Sequence, residues 1–209
     1  MTILRVLGLL LLLIPVDTGE NRPHEDYAPL RDLVSMGFTS IYNFNFTRAD
    51  SIQKALTKNY SSNPWAYLYG VNYYWWLLLS EKETTKFKDL FYACLDSASQ
   101  KLSLYRKKMR QDDFDLIYSY IYLYAFKARI DILDGKYLHA VIHANDCINY
   151  LEKSFGNEDR YPAFNVTSGL YTYGIGYSAK NNPWLFPALL FVPKGDMEIG
   201  KKFLENASR

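Results

Sequence analysis

Cysteine is scarce in this chain. Cys94 and Cys147 are the two present in 209 residues, a number that excludes a disulfide framework. Both fall in apolar stretches of helical pattern and read as small buried thiols, with a single bridge between neighbouring helices as the alternative. An excess of either charge is missing too. With 24 basic and 22 acidic residues spread along the chain, the formal net charge is +2, and no electrostatic footprint for nucleic acid emerges. The basic run Arg106-Lys107-Lys108-Met109-Arg110 sits where a long helix should end, and cations there complement the carbonyl end of the helix dipole. Motifs of catalysis are lacking as well. There is no G-x-S-x-G, no H-E-x-x-H and no phosphate-binding glycine loop, and Gly174-Ile175-Gly176 lacks the strand and third glycine of a dinucleotide fingerprint. The expectation is a protein that is not an enzyme, with no catalytic residue, no metal and no cofactor.

What is present begins with an address. Arg5 precedes the apolar run Val6 to Pro15, which contains the consecutive leucines Leu9 to Leu13. This is the pattern of a signal peptide, and a run of about ten residues is too short to cross a bilayer of about 30 Å as a helix. Residues 1–19 are read as the signal and residues 20–209 as one helical domain, with the mature chain starting near Glu20. No cysteine follows the apolar run, so lipid attachment of the lipoprotein type is not supported. No later segment reaches spanning length, so an integral membrane segment is not expected once the signal is removed. The sequence Asn-x-Ser/Thr occurs at Asn45, Asn59, Asn165 and Asn206, which matters in a host that glycosylates exported proteins.

With 49% hydrophobic and 22% charged residues the chain belongs to the globular class. Apolar residues recur at helical rather than alternating spacing, and hairpin turns are absent, so the fold class is all-α. Breakers divide the chain: Asn63-Pro64, Gly135, Gly156-Asn157, Pro162, Asn182-Pro183, and Pro193 with Gly195-Asp196. Asn-Pro places a capping side chain before a proline at the first helical position, where its missing N–H costs nothing. The predicted helices are Leu30–Tyr42, Arg48–Lys58, Pro64–Leu79, Thr84–Arg110, Asp112–Leu133, Tyr137–Ser154, Pro162–Ala179 and Gly195 to the end. They fall into four pairs.

Self-comparison shows a recurring pattern in the second helices. A turn residue is followed two positions on by an aromatic or long apolar residue, then by small or apolar residues three and ten further on. The third pair gives Gly135, Tyr137, Ala140 and Cys147, and the fourth Gly195, Met197, Gly200 and Ala207. The first pair follows more loosely, with Phe46, Ala49 and Leu56 after the turn residue Asn45, as does the second with Phe87, Leu90 and Ser97. This resembles the tetratricopeptide repeat, whose small residues let the helices of a hairpin approach closely. The stretch Asn182-Pro183-Trp184, Phe191-Val192-Pro193-Lys194-Gly195-Asp196 and Gly200 looks like exported tetratricopeptide-like proteins of Bacteroidetes-type bacteria. The resemblance implies a solenoid of about four antiparallel helix pairs, a periplasmic or cell-envelope location and a scaffold role. It also implies that the last pair is incomplete, because the chain stops two residues after Ala207. Either a truncated gene product or a partner over that end would account for it.

Three groups of side chains invite a chemical reading. His139, His143 and Asp146 are spaced to share a helix face as metal ligands do. They alternate with the packing residues Ala140, Ala144 and Cys147, which favours a solvated face instead. Asp112, Asp113 and Asp115 offer carboxylates for acid–base work, but they sit at a helix start, where carboxylates cap free N–H groups. Aromatic residues make up 17% of the chain, with 19 tyrosines, and they concentrate in Trp65 to Trp76, Tyr118 to Phe126 and Tyr171 to Tyr177. In tetratricopeptide-like arrays such first helices line the concave surface. Tyr69, Tyr73, Tyr120 and Tyr124, which recur at helical spacing, are therefore the candidate ligand-binding residues, set against ordinary helix packing. The apolar stretch Trp184 to Val192 carries Pro187, cannot be one long helix, and is expected to be covered by the last hairpin, a partner or a membrane surface.

Together these features point to an exported scaffold that binds a protein or peptide. The alternative is a module for carbohydrate or another envelope component, using the same aromatic face.

Overall fold

The structure, a computed structural model, describes residues 28–80, 84–107, 113–182 and 192–208. Among these are eight α-helices and no strand: α1 (Ala28–Tyr42), α2 (Phe46–Asn59), α3 (Trp65–Ser80), α4 (Thr84–Arg106), α5 (Phe114–Leu133), α6 (Tyr137–Ser154), α7 (Phe164–Asn181) and α8 (Met197–Ala207). The signal segment 1–19, Lys108–Arg110, Asp112 and the apolar run from Pro183 to Phe191 lie outside the described residues. No described helix is long and apolar enough to cross a membrane.

Helix starts follow the capping chemistry. Asn63 Oδ1 accepts the Trp65 N–H at 2.9 Å, satisfying one of the donors a first turn leaves free. Asp113 caps α5, accepting from Leu116 N–H at 3.0 Å, and Asp196 caps α8 by accepting from Glu198 and Ile199. Asn182 closes α7, its N–H returning to Ser178 O at 2.9 Å, and the helix start read at Asn182-Pro183 falls on residues outside those described.

The chain forms two compact units, one within Gly19–Gln111 and one taking in Asp112–Arg209. In the first, α1 packs on α2, α3 packs on both, and α4 packs on α3. In the second, α5 pairs with α6, α7 with α8, and α6 touches α7. The pairs expected from the breakers are thus the pairs that pack.

Helices that are apolar all round belong in an interior. α3 is such a helix and the first part of α5 is nearly so. Tyr69 and Tyr73 of α3 and Tyr118, Tyr120, Tyr122 and Phe126 of α5 are buried, while their other aromatic rings are half-buried. Tyr69 is fully buried, its ring edge-on to Phe38 at 5.5 Å, and its hydroxyl donates to Ala49 O at 3.0 Å. Tyr122 and Phe126 are likewise enclosed in the second unit. The positions of the recurring pattern differ in burial: Leu90 is exposed, and Ser97 and Ala207 are half-buried. Ala49 and Ala140 are buried, and a Cβ added to Gly200 of α8 would come within 2.7 Å of Tyr173 Cα in α7. Gly176 and Gly169 of α7 face α8 and the residue before it at comparably short range, so the two helices meet backbone to backbone.

Two hairpin turns are built alike. After α5, Gly135 N–H bonds Ile132 O and Lys136 N–H bonds Asp131 O; after α1, Phe44 N–H bonds Ile41 O and Asn45 N–H bonds Ser40 O. This double return is the usual way to close a helix, and its closing residue adopts the left-handed conformation that favours glycine. Gly135 has φ 72°, whereas the same place in the first hairpin holds Phe44 at φ 58°. An L-residue there costs about 1–2 kcal/mol. The correspondence also corrects the sequence register. Phe44 rather than Asn45 is the turn residue, and Phe46, Ala49 and Leu56 then fall at the same offsets from it as Tyr137, Ala140 and Cys147 do from Gly135.

Candidate functional site

The face shared by α5 and α6 gathers aromatic, cationic and acidic side chains. Tyr120, Tyr124, Lys127 and Asp131 follow one another at steps of four, three and four, which places them on one side of α5. From α6 come His143, Tyr150 and Lys153. The rings of Tyr120 and Tyr150 stack at 4.6 Å and 14°, and Tyr124 lies 5.9 Å from each of them. Such offset stacks contribute about 0.5–1.5 kcal/mol beyond the area they bury. Lys153 Nζ sits 4.7 Å from the Tyr150 ring centre and Lys127 Nζ 5.5 Å from that of Tyr124, both within cation–π range. Tyr120 is buried, while Tyr124, Tyr150 and Lys127 are half-buried and Lys153 is exposed.

The stack ends on an acid–imidazole pair. His143 Nδ1 lies 2.7 Å from Asp131 Oδ2, and the imidazole is 6.1 Å from the Tyr124 ring. Asp131 is buried, and His143 supplies a hydrogen-bond partner that such a carboxylate requires. His143 therefore departs from the solvated position its spacing suggested, because a charged group on the inner side of α5 draws it in. His139, one turn earlier, is exposed, and Asp146 is half-buried. Among the described residues no group of three or more histidine, cysteine, aspartate or glutamate side chains is placed to hold a metal ion.

The four tyrosines singled out in the sequence part company. Tyr69 and Tyr73 belong to the first unit and are buried, Tyr73 against Tyr74 at 4.9 Å. Tyr120 and Tyr124 belong to the second and form the stack. Tyr150, Lys127 and Lys153 were missed by sequence reasoning, and His143 was singled out there only as a possible metal ligand beside His139 and Asp146. One signal was available: Asp131 interrupts the apolar run Ile130 to Leu133 and lies seven residues after Tyr124. The aspartates at the start of α5 are both engaged in structure, Asp113 as the cap and Asp115 as acceptor from Tyr161 Oη at 2.7 Å.

A surface cavity of about 210 Å³ lies in the first unit, between the second half of α1 and the start of α2. An apolar stripe on α6, comprising Leu138, Val141 and Ile142, faces solvent on the side away from α5. Of the four Asn-x-Ser/Thr sites, Asn165 is buried and its Nδ2 donates to Glu158 O and Pro162 O, so that site is closed in the folded chain. Asn45, Asn59 and Asn206 are exposed.

Both cysteines are free thiols, and burial pushes each up to about 12. At Cys147 the nearby Arg129 lowers the value and Asp146 raises it, but burial outweighs both. An ordinary thiol ionises near 9.0, so from there up to about 12 the unfolded chain loses the Cys147 proton while the folded chain keeps it. Stability is fully present below pH 9 and falls as pH rises, at about 1.4 kcal/mol per pH unit for this one group. Urea titrations from pH 8 to 11 should show that decline, and Cys147→Ser should remove the Cys147 share of it while leaving the share of Cys94. At pH 8 a thiol reagent should label Cys147 only on unfolding.

No protein-family model matches the chain, and no curated protein or solved structure is significantly similar to it.

Proposed function

We propose that this chain is an exported helical scaffold of the tetratricopeptide kind, located in the periplasm or cell envelope, which binds a protein or peptide partner and catalyses no reaction. The observation that carries the reading is the α5–α6 face, where half-buried Tyr124 and Tyr150 stand beside Lys127, Lys153 and His143. Flat apolar rings bordered by cations suit a peptide with apolar and acidic side chains. A glycan would be better served by rings flanked with open carboxylates and amides, whereas Asp131 of this face is buried and held by His143, so the carbohydrate reading comes second. Export rests on Arg5 and the leucine run behind it.

The test is photo-crosslinking in the native cell, with a benzophenone side chain placed at exposed Lys153. A reproducible protein partner is expected, and Tyr124→Ala with Tyr150→Ala should reduce its recovery at least tenfold. Equal recovery from the variant would sink the proposed face. Recovery of polysaccharide with no protein would replace the peptide reading with the carbohydrate one.

A further inference from the structure

The α1–α2 turn carries a feature that helix closure does not require. Phe44 occupies the place that Gly135 fills in the matching turn, in a backbone conformation that disfavours every side chain, and its ring is 66% exposed. A residue that strains the backbone yet packs little is retained for something other than folding. Its ring meets Phe46 and Trp76 edge-on at 6.1 Å each, so a solvent-facing aromatic group spans the turn, α2 and α3.

The residues on either side of Phe44 both line the 210 Å³ cavity. Thr39 Oγ1 and Ser40 Oγ there donate to carbonyls of their own helix, Ser35 O and Met36 O, and are left as acceptors. Hydrogen-bond donors dominate the remainder. Asn45 Oδ1 is taken by the Arg48 N–H, which leaves its Nδ2 available, and the Asn43 side-chain amide has no hydrogen bond among the described residues, its backbone N–H going to Thr39 O. Arg48 contributes its guanidinium, which has no ion-pair partner among the described residues, and no acidic side chain lines the cavity. A donor-rich, singly cationic cavity next to exposed rings complements a carboxylate adjoining an apolar side chain.

We infer that the α1–α2 turn is a second, separate peptide contact, in which Arg48 and the two asparagine amides receive a carboxylate while Phe44 receives the neighbouring apolar side chain. This rests on the peptide-binding reading given above, and it assigns to the first unit a site independent of the α5–α6 face.

The test uses the full chain and two fluorescent peptides, acetyl-Gly-Phe-Asp-Gly-amide and the same peptide with asparagine in place of aspartate. The aspartate peptide should bind at least tenfold more tightly and should shift the NMR signals of Phe44 and Arg48. Phe44→Gly and Arg48→Gln should each weaken, at least tenfold, the binding read from the NMR shifts of Asn43 and Asn45, a local readout that does not count the same peptide bound at the α5–α6 face. Tyr124→Ala should leave those shifts unchanged. Phe44→Gly should also melt at an equal or higher temperature, by up to about 3 °C. A fall of several degrees would show the ring to be structural and overturn the inference. Equal binding of both peptides overturns it too. Binding that responds to Tyr124→Ala but not to Arg48→Gln leaves the α5–α6 proposal standing and removes this one. Failure of both peptides to perturb Phe44 or Arg48, whatever the crosslinking at Lys153 gives, also rejects this site.

Discussion

Gly200→Val is expected to lower stability by about 3 kcal/mol and to strip α8 of its protection against hydrogen exchange. The reason is geometric. At Gly200 the backbone of α8 rests on Tyr173, and a single Cβ would already stand 2.7 Å from Tyr173 Cα, with backbone rather than a yielding side chain in its path. Overpacking a tight contact costs about 1–3 kcal/mol, and the branched valine belongs at the upper end. Gly135→Ala is the control. Nothing lies within 4 Å of a Cβ there, so only its positive φ is penalised, at about 1 kcal/mol. Thermal melts of the two variants should therefore differ by about 6 °C. Comparable losses in both would mean that close contact between α7 and α8 contributes little.

The second large effect concerns Tyr69. Its ring is wholly buried between α1 and the rest of the first unit, and it covers Gly37, whose missing side chain makes room for it. Tyr69→Ala should cost about 4 kcal/mol, as removal of an enclosed aromatic ring does, while Tyr69→Phe should cost about 1 kcal/mol for the bond to Ala49 O. Gly37→Ala should destabilise the natural chain but be tolerated beside Tyr69→Ala, where the space has been vacated. Chemical denaturation of the four chains measures this coupling. If Gly37→Ala costs the same in both backgrounds, the ring and the glycine do not share that space.

Much of the helical layout was legible because capping and breaking are local. Asn63, Asp113, Asp196 and Gly135 act through atoms within a few residues of themselves, so the sequence window contains their partners. The functional reading was harder for the opposite reason. Tyr69 and Tyr124 look alike in sequence, each a tyrosine within an aromatic-rich helix, and only the packing of other helices buries one and leaves the other half-exposed. Tyr150 and His143 reach the site from a different helix, 26 and 19 residues after Tyr124, and no periodicity within α5 announces them. Asp131 was the detectable clue, since a buried carboxylate implies a partner even before the partner is known. Phe44 escaped notice because a phenylalanine between two asparagines gives no sign of a left-handed turn. The neighbouring asparagines are the residues that sequence alone would place there.

The first hairpin's closing residue also says how this chain would respond to a laboratory search for heat resistance. Mutagenesis screened on survival alone would favour Phe44→Gly wherever both of its nucleotide changes arose together, because the single-step residues Cys and Val keep a side chain in the left-handed conformation. The fold would lose only the edge contacts of that ring with Phe46 and Trp76. A lineage improved in that way would keep every helix and lose the ring, so the screen would record an improvement while the contact proposed at that turn disappeared.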